Sequence, residues 1–163
     1  MRMTTQPYAL EKPIWTEADF EQMGWHDVHV HAVAFRPELF ELWFDIDYIL
    51  SWVDPHGDEK YYSFWLAPAT LAFENIYDLR FDIESHDGDM SLQGIERSDP
   101  RAPRNAVEKR TEWHWLLDFN EGQITLRSVG FSQFTRRPPI FVRSQRLTLE
   151  QRGGVSFSRD YAG

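Results

Sequence analysis

The sequence predicts an all-β protein, an antiparallel sandwich or flattened barrel of about nine strands with one short N-terminal helix. Aromatic residues make up 15% of the chain, and flat packed strands accommodate such side chains better than a helical bundle does. Many segments alternate apolar and polar residues with a period of two, as strands do. The connections between these segments are too short for parallel crossovers. Because several strands are apolar on both faces, two packed layers or a barrel are favoured over a flat single layer.

The one predicted helix covers residues 16–24. Thr16 is a good N-cap, and Asp19 lies three residues later, where an acidic side chain completes a capping box. Gly24 is placed to end the helix. Phe20 and Met23 lie three residues apart, so they would form its inward stripe.

The predicted strands follow the helix in a series separated by turn residues. Asp87-Gly88 predicts a hairpin between the fourth and fifth of them, and Gly153-Gly154 predicts one between the last two. Pro68 has no amide proton, so it indicates an edge or a bulge in the third strand. The strands are predicted at residues 24–35, 41–53, 61–73, 77–84, 91–97, 111–119, 123–135, 143–150 and 155–159.

The length of the chain and the lack of a linker-like segment in its sequence predict a single domain over residues 1–163. Residues 1–13 are expected to be a loose lead-in. Residues 98–110 are polar, contain two prolines and show no periodicity, so they are expected to form a mobile loop, with a helical turn at 106–109.

Composition excludes several classes of function. The formal net charge of −9 repels phosphate backbones, so nucleic-acid binding is not expected. The chain has no cysteine, which excludes disulfides, thiolate zinc sites and cysteine nucleophiles. No apolar run is long enough to span a membrane, and the N-terminus does not have the pattern of a signal peptide. A cytoplasmic protein without membrane contact is therefore expected.

Charge is unevenly distributed along the chain. Most acidic residues lie between positions 36 and 90, whereas arginines are concentrated in the last third of the sequence. We expect acidic strands to pair beside basic ones; a basic binding face is the alternative. The arginines concerned are Arg127, Arg136, Arg137, Arg143, Arg146, Arg152 and Arg159.

The segment 24–35 carries the most chemically varied strand face. With a period of two, its apolar face comprises Val28, Val30, Ala32 and Ala34. The opposite face combines aromatic, acidic and imidazole side chains, which makes it the main candidate for a functional surface. This face comprises Trp25, Asp27, His29, His31, Val33 and Phe35.

His29 and His31 are candidate metal ligands. Residues two apart on one strand face are about 7 Å apart, which suits two imidazoles on one ion. Zinc and other first-row ions bind such mixed nitrogen and oxygen sets. The alternative is a partly solvated face on which histidines pair with aspartates. Groups from neighbouring strands that could complete the coordination are Asp45 and Asp47, or Glu112 and His114.

Asp45 and Asp47 form a pair of carboxylates on one face of the second strand. Two such charges repel each other, so the pair needs a cationic partner or one member keeps its proton. Arg80 and Arg127 are the candidate partners. Paired acids also suit general acid–base catalysis, but ion pairing across strands is the favoured interpretation.

Tryptophans accompany these polar groups. Trp25, Trp43 and Trp65 would lie on the polar side of the sheet, beside acids and histidines. Such an arrangement is typical of a surface that binds a peptide, a sugar or a partner protein. It is equally typical of the second core of a sandwich, and the sequence leaves both interpretations open.

Three sequence blocks, Trp25-His-Asp-x-x-Val-His31, Asp45-Ile-Asp-Tyr-Ile49 and Phe64-Trp-Leu-Ala-Pro-Ala-Thr-Leu-x-Phe-Glu-Asn75, cover about the middle half of the chain. They resemble a family of small uncharacterised bacterial proteins, a domain of unknown function. The resemblance implies a compact single domain of bacterial origin. It implies no activity and assigns no catalytic residue.

The sequence favours a non-enzymatic binding protein that uses a sheet face lined by tryptophan, histidine and aspartate. Its acidity suits a basic protein partner, for example in the manner of an immunity-type inhibitor. One alternative is a metal-dependent hydrolase whose ligands include His29 and His31. Another is a homodimer with no ligand. The sequence does not indicate which cofactor, if any, the protein binds. The predicted ligand-binding residues are Trp25, Asp27, His29, His31, Trp43, Asp45, Asp47 and His114.

Overall fold

The computed structural model describes residues 7–105 and 110–163 and confirms the all-β antiparallel fold. Its ten strands belong to one sheet. Two 3₁₀ helices, Glu17–Gln22 and Pro37–Leu39, and one α-helix, α1 (Leu149–Arg152), accompany the sheet. The strands are β1 (Ile14–Thr16), β2 (Val28–Arg36), β3 (Glu41–Val53), β4 (Ser63–Glu74), β5 (Tyr77–Ile83), β6 (Met90–Arg101), β7 (Glu112–Phe119), β8 (Gly122–Ser128), β9 (Gly130–Thr135) and β10 (Ile140–Val142).

The sheet curves around one core. The strand order is β1-β9-β4-β3-β2-β6-β7-β8-β5, with β10 also paired to β4. Phe73 on β4 and Trp115 on β7 are four strands apart along this order, about 19 Å in a flat sheet. Their rings are nevertheless only 5.5 Å apart, centre to centre. The sheet therefore folds back on itself as a flattened, unclosed barrel whose concave face encloses the core.

The N-terminal helix begins as the sequence predicts. The Thr16 hydroxyl accepts a bond from the Ala18 amide, and the Asp19 carboxylate accepts one from the Thr16 amide, so the capping box is present. The helix is a 3₁₀ helix that ends at Gln22, and its C-cap is Met23, one residue before Gly24. Lys12 in the lead-in binds Asp19 at 2.7 Å, which ties residues 7–13 to the helix.

Both hairpins predicted from glycine-containing turns are wrong. β5 pairs with β8, whereas β6 pairs with β2 and β7, so Asp87-Gly88 joins two strands that are not neighbours. At the C-terminus, residues 143–150 and 155–159 form no strands. α1 lies there instead, with Thr148 and Gln151 forming its capping box and Gly153 in the left-handed region at its C-cap.

Two other local predictions need correction. Residues 98–101 of the predicted mobile loop belong to β6, and the predicted turn at 106–109 lies outside the described residues. Pro68 lies on an interior strand between β3 and β9, not on an edge. It falls at the break between β9 and β10, where the Arg136 amide donates to the Pro68 carbonyl and no amide proton of residue 68 is required.

Among the described residues, none of the helices is long and apolar enough to cross a bilayer. The longest is the six-residue 3₁₀ helix Glu17–Gln22.

Candidate functional site

A β-bulge in β2 decides which predicted site residues share a face. Val30 pairs with Ile46, but Ala32 pairs with Asp45, so one extra residue is inserted around His31. The alternation of faces therefore reverses at this point. His29 and His31 lie on the convex, outer face of the sheet. Val33, beyond the bulge, packs against the core, contrary to the prediction that it shares the histidine face.

Asp45 and Asp47 also lie on the outer face, but no solvent reaches them. Both residues have no exposed surface, although they lie on the side of β3 away from the core. The chain after β10, residues 143–163, covers them and is called the C-terminal segment below. Its backbone contributes directly, because the Leu147 amide donates to Asp47 at 2.9 Å and the Ser156 amide to Asp45 at 3.0 Å.

Two buried arginines neutralise these carboxylates. Arg152 Nη2 lies 2.6 Å from Asp45 Oδ1, and Arg152 Nε lies 3.0 Å from Asp47 Oδ1. Arg136 Nη2 adds a third ion pair to Asp45 at 2.7 Å. The prediction that the acids pair with cations is confirmed. The predicted partners, Arg80 and Arg127, are wrong, and Arg127 instead pairs with Glu112 at 2.7 Å.

Asp47 links this ion-pair cluster to the histidines. Its Oδ2 atom lies 2.6 Å from His31 Nε2. Burial alone would raise the pKa of Asp47, but hydrogen bonds from His31 and from the Leu147 amide outweigh it and lower that pKa. Asp47 is therefore an anion at neutral pH, held between one arginine, one imidazole and one backbone amide.

His29 is neutral at physiological pH. Burial, together with the nearby His31 and Arg146, lowers the pKa of His29 from 6.5 to about 4. The two imidazole rings are perpendicular, with centres 4.5 Å apart. Arg146 Nη2 lies 3.1 Å from His29 Nδ1. An arginine only donates, so Nδ1 accepts, and the proton of the neutral ring is assigned to Nε2.

His29 lines a small polar pocket of about 230 Å³. Gln145 closes one side by donating to the Asp27 carboxylate at 3.0 Å. Arg146 closes another side through an ion pair with Asp89 at 2.9 Å. Asp27 has a left-handed backbone with φ of 61°, a conformation that aspartate tolerates better than most residues. The polar pocket is lined by Asp27, His29, Ser91, Ser144, Gln145 and Arg146.

A second pocket of about 470 Å³ adjoins the polar pocket and shares Ser144 and Gln145 with it. It is called the aromatic pocket here. Trp52 lies 5.7 Å from Tyr62 and 5.0 Å from Phe64, with ring planes at 76° and 77° respectively. The other lining residues are Tyr61 and Arg143. Together the two pockets form one continuous surface between the C-terminal segment and the outer face of the sheet.

The remaining predicted site residues lie elsewhere. Trp25 is 3% exposed and packs in the core, where its indole donates to Gln133 at 2.9 Å, so it cannot contact a ligand on the outer face. Trp43 lies on the outer face, but Arg36 and Arg159 cover its ring. His114 is on β7, two strands from β2, and lines neither pocket. Trp65 packs against Tyr8 and Phe141.

His29 and His31 also remain the candidate metal ligands. Within residues 7–105 and 110–163, no group of three or more histidine, cysteine, aspartate or glutamate side chains is arranged to hold a metal ion. Asp47, the acid nearest to His31, already binds Arg152 and the Leu147 amide. The metal hypothesis stays a prediction, and elemental analysis of the purified protein against His29→Ala tests it.

Several residues of the site were not predicted. They are Trp52, Tyr61, Tyr62 and Gln145 at the two pockets, while Arg136 and Arg152 were expected to pair with acidic strands but were not assigned to Asp45 and Asp47. The excess of acids in 36–90 and of arginines in the last third was the signal for the cluster, since Arg143, Arg146 and Arg159 also pair with acids of that region.

Comparisons with protein-family models, with curated proteins and with solved structures gave no match.

Proposed function

We propose that this chain is a binding protein whose contact surface consists of the aromatic pocket and the adjoining polar pocket. The observation that carries the proposal is the exposure of three aromatic side chains at one place. Trp52 is 41% exposed, Tyr61 81% and Tyr62 45%, and all three line the same pocket. Removing such rings from water is favourable, and a partner that covers them gains that free energy.

The residue types at this surface suit a protein partner. Tryptophan, tyrosine and arginine are the residues that dominate binding energy in protein interfaces, and Trp52, the two tyrosines and Arg143 supply all three. Trp52 belongs to β3 and Phe64 to β4, two paired strands. Trp52 and Phe64 therefore stand on a rigid base, which limits the side-chain entropy lost on binding, while Tyr61 and Tyr62 directly precede β4.

The polar pocket would orient the bound segment of the partner through hydrogen bonds. Its lining offers hydroxyl groups from Ser91 and Ser144 and a carboxylate from Asp27. Neutral His29 adds an N–H donor at Nε2. Hydrogen bonds of this kind fix the orientation of a bound segment, whereas the apolar rings supply most of the affinity.

The buried acids support binding rather than acid–base catalysis. All four oxygens of Asp45 and Asp47 accept hydrogen bonds from arginines, an imidazole or backbone amides. Neither residue is exposed, so a substrate on the outer surface does not reach them. We assign them the structural role of holding the C-terminal segment, and with it Ser144, Gln145 and Arg146, against the sheet.

The test compares two variants of the full chain in affinity capture from native cells. Trp52→Ala/Tyr62→Ala removes the exposed rings. Phe35→Ala is the matched control, because Phe35 is 58% exposed and pairs with Leu42, about 30 Å along β3 from Trp52. A protein recovered with wild type is then purified and titrated, and the double variant should bind it at least about 30-fold more weakly.

Two outcomes would overturn this assignment. Equal affinity of wild type and Trp52→Ala/Tyr62→Ala for the purified partner would place the contact surface elsewhere. Loss of binding with Phe35→Ala alone would place it at the opposite end of β3. Sedimentation of wild type over a range of concentrations shows separately whether a second copy of the chain is the partner.

A further inference from the structure

We infer that the aromatic pocket receives a cationic side chain, a lysine or an arginine, from the protein partner. The inference rests on the proposed function and specifies its chemistry. It starts from the geometry of the rings. Trp52 contacts Tyr62 and Phe64 edge to face, with ring planes at 76° and 77°, and the three rings together line an open cavity of about 470 Å³. Aromatic walls of this kind bind cations through the negative potential of their ring faces.

Three of the four other partly exposed tryptophans hold a cation over the ring, whereas Trp65 packs against Tyr8 and Phe141. Lys12 lies 4.4 Å from the ring centre of Trp15, and Arg97 lies 4.5 Å from that of Trp113. Arg36 and Arg159 lie 4.3 and 5.1 Å from the ring of Trp43. In the described part of the chain, Trp52 is the most exposed tryptophan and has no lysine or arginine over its ring; its imidazole neighbour, His26 at 5.9 Å, is paired with Asp27. A cation from outside would complete the same arrangement.

Charge around the pocket favours a cation as well. The loop that joins Trp52 to the two tyrosines contains three acids, Asp54, Asp58 and Glu59, against one lysine, Lys60. Glu59 lies 3.6 Å from Arg143, so it offsets the one arginine that lines the pocket. The whole chain has a formal net charge of −9, which attracts basic partners at long range.

The experiment uses three small probes of nearly identical shape and different charge. They are choline, which is a cation, 3,3-dimethylbutan-1-ol, which is neutral, and 3,3-dimethylbutanoate, which is an anion. Each is titrated into the full chain while the indole N–H signal of Trp52 is followed by NMR. Trp52→Phe identifies that signal, because it is the one that disappears.

The expected result is a saturable shift of the Trp52 signal with choline, at an affinity at least about threefold higher than that of the neutral alcohol. The anion should bind more weakly than the alcohol. Arg143→Gln should tighten choline binding by removing a like charge, and Glu59→Gln should weaken it. Both side chains are partly exposed, so neither substitution is expected to disturb the fold.

Equal affinities for choline and the alcohol would overturn the inference, as would the absence of any shift at Trp52. Tighter binding of the anion would reverse the assigned charge and point to an acidic partner held by Arg143. In each of these cases the proposed binding function stands if Trp52→Ala/Tyr62→Ala still releases the captured protein. It falls if that variant retains the protein, whatever the probes do.

Discussion

Arg152 places its guanidinium against two carboxylates of one strand, 2.6 Å from Asp45 and 3.0 Å from Asp47, and all three side chains are completely buried. The arginine belongs to α1 and the acids to the middle of β3, more than 100 residues earlier. This contact fastens the C-terminal segment to the outer face of the sheet. Since Ser144, Gln145 and Arg146 belong to the same segment, the contact also positions both pockets.

The first prediction concerns the stability of the buried cluster. Asp45→Asn removes the charge that Arg136 and Arg152 share, which leaves two buried guanidinium groups with a single remaining carboxylate. Breaking a buried ion pair from one side costs about 3–5 kcal/mol, so the free energy of unfolding in urea should fall by that amount. Glu38→Gln, which breaks the exposed pair with Arg36, is the control and should change little. Equal losses in both variants would show that burial does not set the strength of the cluster.

The second prediction concerns pH. The folded chain lowers the pKa of His29 to about 4 from an ordinary value of 6.5. Between these values the unfolded chain binds a proton that the folded chain does not, so stability is lost as the pH falls through this window. The loss from His29 should be on the order of 2–3 kcal/mol.

Urea unfolding of wild type, His29→Gln and His56→Gln at pH 7.5 and pH 4.5 checks this effect. His29→Gln should lose distinctly less stability on acidification than wild type. His56→Gln changes an exposed histidine and should lose as much as wild type does. The same acid loss in all three proteins would contradict the account of His29 as a buried neutral imidazole.

The third prediction concerns the turn between β7 and β8. Gly122 has a φ of +143°, and a Cβ atom there would lie 2.1 Å from the backbone oxygen of Asp82 on β5. Gly122→Ala should therefore lower the free energy of unfolding by more than about 2 kcal/mol. Gly24 has open space around its Cβ position and no positive φ, so Gly24→Ala serves as the control. If the two variants are equally stable, the close pairing of β5 with this turn is wrong.

The sequence predicts the parts of the fold that are encoded locally. The capping box of Thr16 and Asp19 lies within four residues, and the alternation in β3 identifies the core-facing side chains as far as Tyr48. Beyond that point a bulge between Ile49 and Ser51 brings Trp52 to the outer face, which alternation alone does not predict. Strand partners are a different matter. β5 pairs with β8 and not with β6, the next strand in the sequence. Burial of the apolar faces of all the strands decides this pairing, rather than the turn Asp87-Gly88.

The candidate site was predicted only in part for the same reason. Counting by twos places His29 and His31 correctly, but the bulge next to His31 has no signature in the residue pattern and shifts Val33 to the core side. Trp25 precedes β2 and turns into the core, which alternation within the strand cannot indicate. Arg152 reaches Asp45 only through the path of the C-terminal segment, so no spacing rule could have paired them.

The fourth prediction addresses the anchoring of the C-terminal segment, on which the position of the binding surface depends. Two backbone amides of that segment, from Leu147 and Ser156, donate to Asp47 and Asp45 respectively. Arg152→Met removes the side chain that holds both acids together, and Arg152→Lys keeps the charge but not the planar fork of donors.

Hydrogen exchange of individual amides in wild type and Arg152→Met tests this anchoring most directly. We expect the Leu147 and Ser156 amides to lose protection by at least about tenfold more than the amides of β3 within the core, with Arg152→Lys in between. Unchanged exchange at Leu147 and Ser156 in Arg152→Met would contradict the claim that Arg152 holds the C-terminal segment, and both pockets, in place.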